Sequence, residues 1–202
     1  MALDSATKAL LQSWAAAAGT NATPLWQLDA AQARAAAKRK TLQREPGPEM
    51  ARCEDVLIPV RDGSSIAGRL LVPTQPPRGM LVYVHGGGWV LGELSEFETI
   101  GRKLAACTEA AVLLVDYRLA PEHRFPIPLQ DTWDALLWAD EHKAKIAGSD
   151  VPLVIAGDSA GANLAAVVAR WSQEQNSPKL AALKTLIWGR RHPCHNFFLI
   201  NH

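Results

Sequence analysis

The first stretch of the chain places apolar residues at helical intervals. Leu10, Leu11, Trp14 and Ala18 fall on one helical face, and residues 31–40 are built of strong helix formers. Asn21-Ala-Thr-Pro24 divides the two helices, and Glu45-Pro-Gly-Pro48 reads as a linker. From Glu54 the pattern shortens to alternation. Residues 54–60 and 65–72 read as a hairpin around the turn Arg61-Asp-Gly-Ser64. Residues 79–85, 111–116, 152–156 and 183–188 are short apolar runs without a helical period, as expected for strands covered on both faces. Between them lie helical stretches at 95–107, 129–145 and 160–175. Strands alternating with helices predict an α/β fold, a mostly parallel sheet flanked by helices. Residues 189–202 keep neither period and hold three of the six histidines.

Composition narrows the function classes. Twenty-one Lys and Arg against twenty Asp and Glu give a formal charge of +1, no footprint for nucleic acid or an anionic membrane. A hydrophobic content of 48% argues against disorder. No apolar run approaches the roughly 20 residues that span a bilayer, and the Ala-rich N-terminus is a poor secretion signal. Cys53, Cys107 and Cys194 are too few and too scattered for a disulfide framework or a zinc site. The expectation is a cytoplasmic protein with no metal and no cofactor.

The chemistry concentrates in two motifs. Gly157-Asp-Ser-Ala-Gly161 follows a buried strand and opens a helix. In that setting small residues at Gly157 and Gly161 permit a sharp turn that lifts Ser159 above the sheet, beside the helix N-terminus. The pentapeptide alone is equally well read as a glycine-flanked helix cap. The second motif, His85-Gly-Gly-Gly-Trp89, also follows a buried strand. Three glycines there cost conformational entropy, and a loop of bare N–H groups able to hold an oxyanion is a plausible return. The loop lacks the pattern of a phosphate-binding loop. The two motifs together point to acyl transfer.

With Asp116–Pro126 (DYRLAPEHRFP) these motifs resemble the hormone-sensitive lipase branch of the α/β-hydrolases, carboxylesterases and lipases. The resemblance covers roughly residues 50–188. It implies an α/β-hydrolase fold with Ser159 as nucleophile and an oxyanion hole from Gly86, Gly87 and Ala160. His85, Gly88, Gly157, Asp158 and Gly161 would support them. It also implies a small-molecule ester as substrate and a helical cap from residues 1–50, ahead of a partial hydrolase core at 51–188 and a divergent tail at 189–202. Arg118 and Glu122 read as an ion pair tying down a loop. His123 reads as structural, Asp131 as a helix cap, and Trp89 as packing on the glycine loop.

A serine hydroxyl needs a base, and the base an orienting carboxylate, in the chain order Ser, acid, His. After Ser159 the only acid is Glu174, about four turns along the same helix. The family's D-P-x-x-D segment and its closing histidine have no counterpart. His192 and His195 have no carboxylate nearby in sequence. The reading is an esterase lineage lacking its last strands through truncation, splicing or a shifted frame, severely impaired and without the family's dimer contact. Residues 183–188 would then form an exposed apolar edge. The alternative is a non-catalytic acyl-binding or interaction protein.

Overall fold

The computed structural model describes residues 3–18, 23–24, 27–41, 45–186 and 198–199. Two helices lead, α1 (Ser5–Ala18) and α2 (Ala30–Thr41). Asp4 starts α1 by accepting the Thr7 N–H at 2.9 Å, and Asp29 starts α2 by accepting the Gln32 N–H at 2.8 Å. Both are capping bonds to otherwise orphaned helix donors. Leu10 and Leu11 of α1 are exposed.

The hairpin follows as β1 (Arg52–Pro59) and β2 (Ser65–Val72), antiparallel throughout. Its turn is fixed by Asp62, whose carboxylate accepts the Ser64 N–H at 3.0 Å and hydroxyl at 2.6 Å. The rest alternates: β3 (Met80–Val84), α3 (Leu94–Thr108), β4 (Ala111–Asp116), α4 (Ile127–Ala147), β5 (Leu153–Asp158), α5 (Ser159–Gln175) and β6 (Leu180–Leu186). The strands stand in the order β1-β2-β4-β3-β5-β6, closed by β7 (Phe198–Leu199). The four central strands are parallel, and the hairpin and β7 join antiparallel.

The apolar runs are buried on both faces because helices cover both. α4 and α5 lay Leu129, Trp133, Leu136, Leu164 and Val168 against Val82, Leu113 and Ile155 on one side. α3 lays Leu104 and Ala105 against Leu81, Tyr83, Val112 and Leu114 on the other. Trp133 and Trp171 lock α4 to α5 edge-to-face, with ring centroids 5.8 Å apart.

Four expectations need correction. The last parallel strand runs Leu180–Leu186 rather than 183–188, because Leu180 already pairs with Leu153; residues 187–188 lie outside the described residues. Its edge is not left wholly open, since β7 pairs Leu199 with Ala182 and Phe198 with Leu183. Arg118 and Glu122 do not pair with each other. Their four-residue spacing brings side chains together only on a helix, and residues 117–119 are irregular. Arg118 instead grips Asp131 at 2.6 Å and Asp62 at 2.6 Å, and Glu122 pairs with Arg34 at 2.8 Å. Asp131 is therefore no cap. The helix begins four residues earlier, with Pro128 in its first turn, and Asp131 is fully buried beneath the Arg118 fork.

Candidate active site

The site grows from the carboxyl ends of two adjacent parallel strands. Val84, the last residue of β3, stands in register with Gly157 of β5. Beyond Val84 the chain enters His85-Gly-Gly-Gly; beyond Asp158 it turns into α5. The register sets the two turns side by side.

The β5–α5 turn is sharp. Ser159 sits at φ 49°, the left-handed region, which a non-glycine residue adopts at a cost of about 1–2 kcal/mol. In proteins generally, strain of this kind at an exposed residue between strand and helix gathers at functional sites. The glycines on either side are required by space. A Cβ on Gly157 would stand 2.5 Å from the Gly161 carbonyl oxygen, and one on Gly161 would collide with the Val84 and His85 carbonyls. The helix start therefore presses against the end of β3. At that start the Ala160 N–H belongs to the first turn, where amides lack intrahelical partners.

The glycine loop is latched to this turn. Asp158 Oδ1 accepts the Gly86 N–H at 2.9 Å and the Tyr83 hydroxyl at 2.8 Å. The Gly86 N–H, expected in the oxyanion hole, is thus engaged by Asp158. The N–H groups of Gly87 and Gly88 meet no acceptor among the described residues. Gly87, at φ +128°, and Gly88, at φ +62°, turn the backbone back on itself, and Leu91 N–H closes the turn on the Gly87 carbonyl at 2.9 Å.

Beneath the loop, His85 is 2% exposed and lies between two rings, Phe97 at 4.8 Å and Tyr117 at 4.4 Å between centroids. Its Nδ1 faces the Gly86 carbonyl at 2.8 Å, which can only accept, so Nδ1 carries the proton. Burial pushes its pKa below the usual histidine value. A neutral ring wedged in this way is a prop for the loop. The Tyr117 hydroxyl adds a second prop by donating to the His85 carbonyl at 2.8 Å.

Two flanking features were not legible in the sequence. One is a cavity of about 360 Å³ beside the loop, lined by Gly88, Trp89, Phe125, Leu129, Asn163 and Val167 among others. Trp89, expected to pack on the glycine loop, lines this cavity, and it and Phe125 are exposed at 41% and 82%. The other is Asp116 at the end of β4, whose pKa is raised to about 6 by burial and by nearby Glu93.

The remaining residues are placed as follows. His123 is half-buried in the loop after β4, where its N–H closes a turn on the Leu119 carbonyl at 2.9 Å. Glu174 pairs with Arg170 at 2.7 Å on the exposed side of α5. His192 and His195 lie outside the described residues. Among the described residues no group of His, Cys, Asp and Glu could hold a metal ion, and no helix is long and apolar enough to cross a membrane.

The profile of a family with the α/β-hydrolase fold matches residues 81–191. Carboxylesterase NlhH of Mycobacterium tuberculosis is 42% identical over 109 residues, covering 54% of this chain and 34% of that protein. An ethyl acetate hydrolase of Pseudomonas putida is 35% identical over 139 residues, covering 66% and 43%. Among solved structures, a hyperthermophilic esterase of Pyrobaculum calidifontis superposes with a TM-score of 0.80 at 33% identity, covering 91% of this chain and 58% of that one. The chain spans between 34% and 58% of the length of these proteins.

Proposed function

The chain belongs to the α/β-hydrolase family, in its hormone-sensitive lipase branch, and from that premise we propose that it carries the acylating half of a serine carboxylesterase site. Ser159 Oγ attacks the carbonyl carbon of a small ester. The carbonyl π pair moves onto oxygen, where the N–H groups of Gly87, Gly88 and Ala160 receive the charge. Collapse of the adduct expels the alkoxide, which takes a proton from water, and leaves an acyl group on Ser159. Water then attacks that ester and releases the acid.

The observation that carries this reading is the Asp158–Gly86 latch. It ties the first residue of the glycine loop to the residue just before a serine held at φ 49°, which supports the reading. Within these 202 residues Glu174, on the exposed side of α5, is the only Asp or Glu after Ser159, and for this stretch of chain we take the serine proton to pass to solvent. Loss of the histidine from a serine mechanism lowers turnover by about 10⁶, while the oxyanion hole and binding retain about 10³–10⁴ over water. Slow hydrolysis of p-nitrophenyl acetate that disappears in Ser159→Ala is expected. Turnover above about 1 s⁻¹, lost in Ser159→Ala and in His192→Ala or His195→Ala, would instead establish a base from the tail, since turnover near 1 s⁻¹ lies in the ordinary enzyme range.

A second reading is non-catalytic acyl binding, favoured by the open apolar cavity and the exposed Phe125 on its wall. It predicts that hexanoate binds Ser159→Ala as tightly as the parent, with no ester turnover in either. The Gly157, Gly161 and His85 contacts serve both readings, since they shape the loop and the turn. We assign residues 1–50 the role of a cap segment on the hydrolase core at 51–188, with residues 189–202 as a separate tail.

A further inference from the structure

α2 is rich in alanine and carries its chemistry in a few basic side chains. Arg34 reaches from it across 56 and 86 positions of sequence to the rim of the site. Its Nε donates to the Val90 carbonyl at 2.8 Å and its Nη2 to the Ala120 carbonyl at 2.8 Å. Nη1 and Nη2 together grip the Glu122 carboxylate at 2.9 and 2.8 Å. Val90 and Leu91 return their N–H groups to the Gly87 carbonyl at 3.2 and 2.9 Å, and the Ala120 N–H donates to the Trp89 carbonyl at 2.8 Å. One guanidinium therefore holds the turn that follows Gly87 against the loop that follows β4. One helical turn further on, Lys38 pairs with Glu93 at 3.1 Å, from the same side of α2.

The glycine loop needs such an outside hold. Gly87 and Gly88 have no side chains to fix them, and a Cβ on Gly88 would meet nothing within 4 Å. Oxyanion donors act only over a narrow window of distance, and a displacement of about 1 Å can cost 10²-fold in rate.

We propose that Arg34 is a positioning residue of the oxyanion loop, setting through the Val90 and Ala120 carbonyls the direction in which the Gly87 and Gly88 N–H groups point. This rests on the oxyanion reading of those amides. Arg34 touches no reacting atom. Its planar fork serves two carbonyls and a carboxylate at once, which the single ammonium of lysine does not.

The test uses the full chain and two readouts. Amide resonances of Gly87 and Gly88 are followed by ¹⁵N NMR in the parent, Arg34→Gln and Arg34→Lys. Each protein is then titrated with phenylboronic acid. Ser159 Oγ bonds to boron, the serine proton leaves to solvent, and the tetrahedral boronate anion engages the loop amides. In Arg34→Gln the two glycine resonances are expected to shift or broaden while those of Val82 and Leu113 in the core stay in place. The Kd for phenylboronic acid is expected to rise about tenfold, short of the 10²–10³ for complete loss of a donor. Arg34→Lys is expected to match Arg34→Gln. Unmoved glycine resonances, a Kd equal to the parent's, full recovery by lysine, or core resonances that move along with the glycines would each overturn the proposal. If the parent takes no phenylboronic acid, the oxyanion reading fails. The glycine resonances then decide alone whether Arg34 positions the loop.

Discussion

Removing the Asp158 carboxylate tests the joint between the two halves of the site. Asp158→Ala deprives two buried donors, the Gly86 N–H and the Tyr83 hydroxyl, of one shared acceptor. A hydrogen bond to a charged group contributes about 1.5–3 kcal/mol, and an orphaned buried donor pays its desolvation in full. Asp158 itself is half-buried, so its charge keeps some solvent and the sum is discounted. The expected loss is about 3 kcal/mol, or roughly 6–12 °C in Tm for a chain of this size. Asp158→Asn keeps an acceptor oxygen in place and should lose about 1 kcal/mol. Tyr83→Phe removes one of the two donors. Its cycle with Asp158→Ala should show a coupling of about 1 kcal/mol, as for residues in direct contact. Urea unfolding followed by tryptophan fluorescence, with seven tryptophans to report, measures the parent, the three single variants and the double variant. The reasoning is refuted if Asp158→Ala lies within about 0.5 kcal/mol of the parent, the usual scatter of uncoupled surface sites.

Three further outcomes are expected. Asp131→Ala strips the fully buried partner from Arg118 and should cost about 3–5 kcal/mol in urea unfolding, the usual result of breaking a buried pair from one side. Ser159→Gly relieves the left-handed strain at φ 49° and should raise stability by about 0.5–1 kcal/mol after the entropy of glycine is set against it, while ester hydrolysis is lost. Asp116, with its pKa raised to about 6, binds its proton more tightly folded than unfolded. Its favourable contribution is therefore complete below about pH 4 and lost as pH rises through 6. Asp116→Asn should accordingly be more stable than the parent at pH 8, with the gap closing by pH 4 in thermal melts.

Much of this fold lies in short-range pattern. The apolar runs at 79–85, 111–116 and 152–156 suited strands covered on both faces and became β3, β4 and β5, and the hairpin turn was marked by Asp62 and Gly63. Ser159 stood out only in company: its pentapeptide alone read equally well as a helix cap, and the glycine run at 85–89 tipped the balance. The engagement of Gly86 was not, since it depends on the register that sets Val84 opposite Gly157 and so brings the Asp158 carboxylate under the loop. Arg118 and Glu122 misled for a similar reason: each found its partner far away, at Asp131 and Asp62 or at Arg34. Arg34 left no local trace, because an arginine flanked by alanines on a helix looks like any solvated position.

The parallel run of the four central strands has a practical corollary. Both halves of the chemistry leave the same rim of the sheet, so the far rim carries none of it. The bend at Gly148–Asp150, which feeds β5 from that far side, is open to solvent, and a Cβ on Gly148 would meet nothing within 4 Å. A graft there, whether an affinity handle or a reporter, would hang from the underside of the scaffold and leave the serine's approach unobstructed.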